Sequence, residues 1–109
     1  MESFEIFYTS RFQKELKAII KKHPDFKATF ADFLDALQNQ PYQGTPLGKG
    51  CYKIRLAVKS KGKGKSGGMR VITFVVSKRK ALFLLSIYDK GDKDTLSDKE
   101  ILGLIPDID

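Results

Sequence analysis

Lys53, Arg55 and Lys59 stand at odd-numbered positions of one alternating stretch, Arg70 follows across a glycine-rich segment, and Tyr88 ends a later apolar run. Together these side chains could act on a phosphodiester. RNA carries its own nucleophile, the 2′-hydroxyl. Cleavage by in-line attack then needs a base for that proton, positive charge on the pentavalent phosphorane, and an acid for the leaving 5′-oxygen. A lysine can serve as base where neighbouring cations lower its pKa, and Lys53 has Arg55 and Lys59 on its own strand face. Arginine stays protonated, so Arg55 and Arg70 can only position phosphate and stabilise charge. Tyr88 could stack on a splayed base or donate a proton.

The charge pattern points to the same class of partner. Residues 49–80 hold 11 of the 20 Lys and Arg residues and no Asp or Glu. The acid-free zone runs wider, from residue 36 to 88, so all 13 acids lie outside it. Net charge is zero before residue 36, +11 in the middle and −4 from Asp89 on. Segregation this complete implies a partner, and a polyanion is the first candidate because each neutralised phosphate releases counterions.

Other chemistries fit less well. A phosphate-binding NTPase loop ending at Gly64-Lys65-Ser66 would need a glycine at position 59, where Lys59 stands, and a helix after it, where a strand follows. The clustered acids Asp89, Asp92 and Asp94 could suggest a metal, but an EF-hand loop begun at Asp92 would need glutamate where Gly103 stands. No metal site is expected. A two-histidine nuclease is impossible with His23 alone, which reads as a cap or surface residue. The single cysteine, Cys51, allows no internal disulfide, suits a reducing cytoplasm and reads as a buried strand residue. The uncharged run 81–88 is too short to span a bilayer, and no signal peptide is visible behind Glu2 and Glu5.

The elements that must position these residues follow from periodicity. At 109 residues the chain is expected to form a single domain, 1–109. Residues 4–8 read as a strand. Ser10 and Gln13 form a capping-box signature, and Phe12, Leu16, Ile19 and Ile20 make one helical stripe that Pro24 ends. Asp25 can cap a second helix, with Phe26, Phe30, Phe33, Leu34 and Leu37 as its stripe and Asn39 and Pro41 at its stop. The two helices should pair as an antiparallel hairpin. Residues 41–50 read as a turn-rich loop. The period then changes to two: Tyr52, Ile54, Leu56 and Val58 alternate with Lys53, Arg55, Ala57 and Lys59. Strands at 69–77 and 81–88 follow, joined by a hairpin connection at 77–80. Both are apolar on nearly every position, which suggests burial on both faces; the helices cover one, and the sequence leaves the cover of the other open, a partner protein laid across the sheet being one answer. Residues 60–68, with Lys and Gly alternating, should form a hairpin tip, and Ser97 begins a short last helix. The fold class is α+β: an antiparallel sheet with an N-terminal αα-hairpin on one face, in the order β-α-α-β-β-β, and a short C-terminal helix. Strict alternation puts Arg70 on the face of Ile72 and Phe74, and the glycine pair Gly67-Gly68 before it permits a bulge.

Cys51-Tyr52-Lys53-Ile54-Arg55-Leu56, the Lys/Gly loop, Gly68-Met69-Arg70-Val71-Ile72 and Leu84-Leu85-Ser86-Ile87-Tyr88-Asp89-Lys90 resemble the RelE/ParE toxin superfamily. The loop is closest to the HigB-like branch of RelE-type mRNA interferases. The resemblance implies a toxin of a type II toxin–antitoxin system that cleaves A-site codons of mRNA on the ribosome, inhibits translation and needs neither metal nor cofactor. Lys53 and Arg55 match the family's paired basic residues, Arg70 the arginine opening the next strand, and Lys90 the basic residue after the last strand. Tyr88 matches the tyrosine of the HigB-like IYxK pattern, and Lys59, Lys61, Lys63 and Lys65 would hold messenger or ribosomal RNA phosphates. Leu96 stands where RelE-type members often carry a base-stacking tyrosine, leaving that role to Tyr88; Thr73 stands where many HigB-like members have an aromatic residue. The implied partners are a cognate antitoxin and the mRNA and rRNA of the ribosome, in the cytoplasm and away from membranes. Two alternatives stand beside this reading. A ParE-like toxin would block DNA gyrase by binding and tolerate Lys53→Ala and Arg55→Ala, whereas a non-catalytic RNA-binding module would show salt-dependent binding without growth arrest.

Overall fold

The computed structural model describes residues 3–57, 68–90 and 96–106. In chain order the elements are β1 (Glu5–Tyr8), α1 (Ser10–Lys22), α2 (Phe26–Asn39), β2 (Thr45–Gly48), β3 (Cys51–Leu56), β4 (Met69–Val76), a single 3-10 turn (Ser77–Arg79), β5 (Ala81–Asp89) and α3 (Asp98–Leu102). The α+β class holds, and the expected order gains one strand, β2, between α2 and β3.

The helices form where the apolar period is 3.6, and their ends show how local signals yield to packing. The cap of α1 is Thr9, not Ser10: its Oγ1 accepts from the Phe12 amide at 3.3 Å. The same hydroxyl donates to the Leu84 carbonyl at 2.8 Å, so one side chain starts the helix and ties it to β5. Asp25 occupies the cap position of α2 but makes no capping bond, because its backbone is already helical and a capping side chain needs an extended one. Phe12, Phe26, Phe30, Phe33 and Leu37 are buried, with Phe12 and Phe30 at a centroid distance of 5.9 Å. The aromatic stripe is core.

The five strands lie in the order β1-β5-β4-β3-β2. Contrary to the antiparallel expectation, the sheet is mixed, since β1 runs parallel beside β5, with Glu5 opposite Ala81 and Tyr8 opposite Leu84. The two helices carry the chain across the sheet from β1 at one edge to β2 at the other, and the antiparallel strands β2 to β5 then return it to lie beside β1. Part of the expected loop at 41–50 is a strand: β2 pairs antiparallel with β3, Thr45 opposite Lys53. The turn between them passes through positive φ at Gly48, Lys49 and Gly50, which the flanking glycines make cheap.

Each face of the sheet has its own core. On one, α1 and α2 pack against Ile54, Met69, Val71, Val75, Leu82, Leu84 and Ile87. On the other, Cys51, Ile72, Leu85 and Tyr88 are covered by Leu96 and Ile101, with Leu104 and Ile105 at the margin. The second face, for which the sequence suggested a partner protein, is thus covered by the chain's own C-terminal segment. That segment is held by a capping box at α3, where Ser97 Oγ accepts from the Glu100 amide at 3.1 Å and Glu100 accepts from the Ser97 amide at 3.0 Å.

Candidate active site

Backbone register decides where the candidate side chains meet. Arg55 of β3 lies opposite Arg70 of β4, and Arg70 opposite Tyr88 of β5. Directly opposed residues share a face, so these three form one row across three strands, roughly 10 Å from end to end at the usual strand spacing. Lys53 pairs with Ile72 and stands on the same face, two residues along β3. Strict alternation, which puts Arg70 on the face of Ile72, therefore also puts it on the face of Lys53. Lys90 is exposed one residue past β5, its amide donating to the Gly68 carbonyl at 3.4 Å.

Burial divides the row. Arg55 is exposed and Lys53 half-buried, whereas Arg70 and Tyr88 are each 4% exposed. Among the described residues, the Arg70 guanidinium makes one hydrogen bond, from Nη1 to the Met69 carbonyl at 3.3 Å, and no ion pair. A guanidinium carries five N–H donors, and a buried charge without a counter-charge is costly. An anion arriving beside Arg70 would relieve that cost. The Tyr88 hydroxyl is likewise buried without a hydrogen-bond partner among the described residues. A phosphate and a donor-seeking oxygen are the kinds of group that would satisfy this pair.

Other sequence expectations sort as follows. Lys59, Lys61, Lys63 and Lys65 lie outside the described residues, as do Asp92 and Asp94. Asp89 ends β5 opposite Met69 and does not share the face of the Arg70 row. Among the described residues no group of three His, Cys, Asp or Glu side chains is placed to hold a metal ion. Cys51 is buried as expected, and burial pushes its thiol pKa up, away from nucleophilic use. Gly68 is required at the start of β4, because a Cβ there would collide with the Leu56 carbonyl. No helix among the described residues is long and apolar enough to cross a membrane.

The bulge that the sequence permits at the start of β4 is found in β5 instead. From Met69 onward β4 pairs regularly with β3. Ile72 faces Ser86 and Thr73 faces Leu84, which leaves Leu85 without a partner in the β4–β5 ladder. Around it two residues outside every quoted motif, Thr9 and Glu15, supply hydrogen bonds. Thr9 Oγ1 takes up the Leu84 carbonyl, while Glu15 Oε1 accepts from Ser86 Oγ at 2.8 Å and from the Ile87 amide at 3.1 Å. The one available signal was Ser86 itself, a lone hydroxyl within an otherwise apolar run.

Comparison with known proteins agrees with this architecture. The family model described as the RelE toxin of the RelE/RelB toxin–antitoxin system matches residues 4–104. An arginine-to-alanine double variant of the E. coli toxin RelE in the free state superposes with a TM-score of 0.67 at 19% identity, covering 97% of this chain and all of that one. The intact E. coli RelBE toxin–antitoxin complex aligns more loosely, with a TM-score of 0.46 at 19% identity over 78% of this chain and 93% of that chain.

Proposed function

Because the chain belongs to the RelE toxin family, and so to the toxins of toxin–antitoxin systems, we propose that it is a metal-independent endoribonuclease that cuts mRNA codons in the ribosomal A site. The observation that carries this reading is the row Arg55–Arg70–Tyr88, with a buried arginine whose donors outnumber its partners among the described residues. The Lys/Gly loop and the Ile87-Tyr88-Asp89-Lys90 pattern support the HigB-like branch over a gyrase-binding ParE-like toxin.

In this mechanism the 2′-hydroxyl loses its proton to a base, with Lys53 as the candidate, and its oxygen attacks the adjacent phosphorus. Arg70 and Arg55 stabilise the dianionic phosphorane. The bond to the 5′-oxygen breaks as that oxygen takes a proton from Tyr88 or Lys90, giving a 2′,3′-cyclic phosphate and a 5′-hydroxyl. Every proton and electron pair is accounted for by the RNA and these side chains. Lys59, Lys61, Lys63 and Lys65 would hold mRNA or rRNA phosphates at the margin. The working compartment is the cytoplasm, and a cognate antitoxin silences the toxin between uses.

The test is controlled expression of the wild type and Arg70→Ala with mapping of mRNA 5′ ends. Cuts within translated codons that vanish in the variant are the expected result. Growth arrest without cuts would shift the reading to gyrase binding, and absence of both would leave a binding module.

A further inference from the structure

Tyr88 and Arg70 share a face only because β5 is bulged. Were the pairing of Thr73 with Leu84 continued without interruption, Met69 would face Tyr88 and Arg70 would face Ile87. Tyr88 would then point into the helix-side core and Ile87 into the site, since a one-residue slip reverses every side chain. The skipped residue, Leu85, restores the alternation: Ile87 packs in the helix-side core and Tyr88 in the opposite one.

The bulge occurs where β5 loses a neighbour. The pairing of β1 with β5 ends at Tyr8 opposite Leu84, and beyond it no strand among the described residues pairs with that edge of β5. Buried amides left unpaired are costly, so something must replace the strand. Thr9 does so for the Leu84 carbonyl, by its amide at 3.3 Å and its hydroxyl at 2.8 Å. Glu15, one and a half turns into α1, does so for the next stretch. One carboxylate oxygen accepts from both Ser86 Oγ and the Ile87 amide, while the other accepts from Arg11 Nε at 3.3 Å. Ser86 is fully buried, so this carboxylate reaches in from the helix to the bulge itself.

We infer that Glu15 is a positioning residue for the cleavage site: by holding the β5 bulge, it sets Tyr88 beside Arg70. This rests on the ribonuclease reading for its functional consequence, though not for its structural one. Glu15 lines one cleft with Ile87, Tyr88 and Asp89, and its carboxylate is engaged by Arg11, Ser86 and the Ile87 amide rather than by Arg55 or Arg70. A displacement of about 1 Å at reacting groups can cost about 100-fold in rate.

The experiment compares Glu15→Ala and Glu15→Gln with the wild type in single-turnover cleavage on programmed ribosomes, together with NMR of the free protein. Glutamine keeps a carbonyl oxygen that can accept from both Ser86 and Ile87. Glu15→Ala should lower the saturating cleavage rate by about 10–100-fold with the half-saturating ribosome concentration unchanged, and Glu15→Gln should restore it to within about threefold. In parallel, Glu15→Ala should speed hydrogen exchange at the Ile87 amide and weaken proximity signals between the Tyr88 ring and Arg70. A full rate in Glu15→Ala despite fast Ile87 exchange overturns the inference, as does equal loss in alanine and glutamine variants. If the wild type does not cut RNA, the ribonuclease reading fails alone, and the Tyr88–Arg70 proximity signals decide the positioning. Should Glu15→Ala not fold, Ser86→Ala removes one of the two bonds and must show a smaller loss of the same kind; wild-type rate and proximity there would overturn the inference.

Discussion

The two faces of the sheet are built from the same three strands and differ in nearly everything else. Toward α1 and α2, five phenylalanines and the alternate residues of β3, β4 and β5 make a thick aromatic and aliphatic core. Toward the C-terminal segment, a five-residue helix and a few aliphatic side chains cover a smaller cluster that also holds Tyr88 and adjoins the Arg55–Arg70 row. The first face is suited to hold the fold and the second to hold a charge in waiting. Burying a guanidinium that has no counter-charge among the described residues is tolerable only where another part of the molecule supplies the stability.

This division can be broken by mutation, beginning with the largest effect. Phe12→Ala, at a fully buried position of the helix face, should cost about 3–5 kcal/mol and lower Tm by roughly 15–25 °C in thermal denaturation. A small change there would mean that the helix face is not the main support. Arg70→Ala should reduce cleavage on ribosomes by about 100–1000-fold while leaving Tm equal or higher, because it removes a buried charge rather than a packed hydrocarbon. A large fall in Tm would make Arg70 a structural residue and dissolve the contrast. Ile101→Ala, in the thin cover, should cost about 2 kcal/mol, less than Phe12→Ala, and chemical denaturation compares the two directly.

The smallest effect sharpens the comparison through Cys51, which sits in the second core. Its pKa is raised above the ordinary value of 9.0 by burial, so the folded state favours the protonated thiol. The corresponding stability is present below about pH 9 and is lost as pH rises through the folded value. Iodoacetamide should therefore modify native Cys51 far more slowly than the unfolded chain at pH 8. The denaturation midpoint should also fall more steeply above pH 9 in the wild type than in Cys51→Ala. Rapid native labelling at pH 8 would show that the C-terminal cover opens readily.

Much of this was legible along the chain. Phe12, Phe26, Phe30 and Phe33 lie at helical spacing, and they are core. Tyr52, Ile54 and Leu56 alternate with Lys53 and Arg55, and the strand follows that pattern. Ser97 and Glu100 mark the start of α3 by chemistry that needs only four consecutive residues. Less legible were the ends and partners of elements. The four residues of β2 include Pro46 and sit among glycines, so their composition reads as loop until β3 offers a ladder. The cap of α1 moved to Thr9 because a carbonyl 75 residues away rewards its hydroxyl.

By itself, then, the sequence determined the helices and the longer strands, which face of each is apolar, and that cations are gathered in the middle of the chain. These depend on spacings of a few residues, and such spacings act before any tertiary contact exists. Only the tertiary structure decided that β1 lies parallel to β5, that the C-terminal segment covers the second face, and that Arg55, Arg70 and Tyr88 stand in one row. Alternation carries its phase along a single strand and no further. Register between strands is set by distant groups, here a bulge at Leu85 and a glutamate on α1, whose separation in sequence leaves no periodic trace.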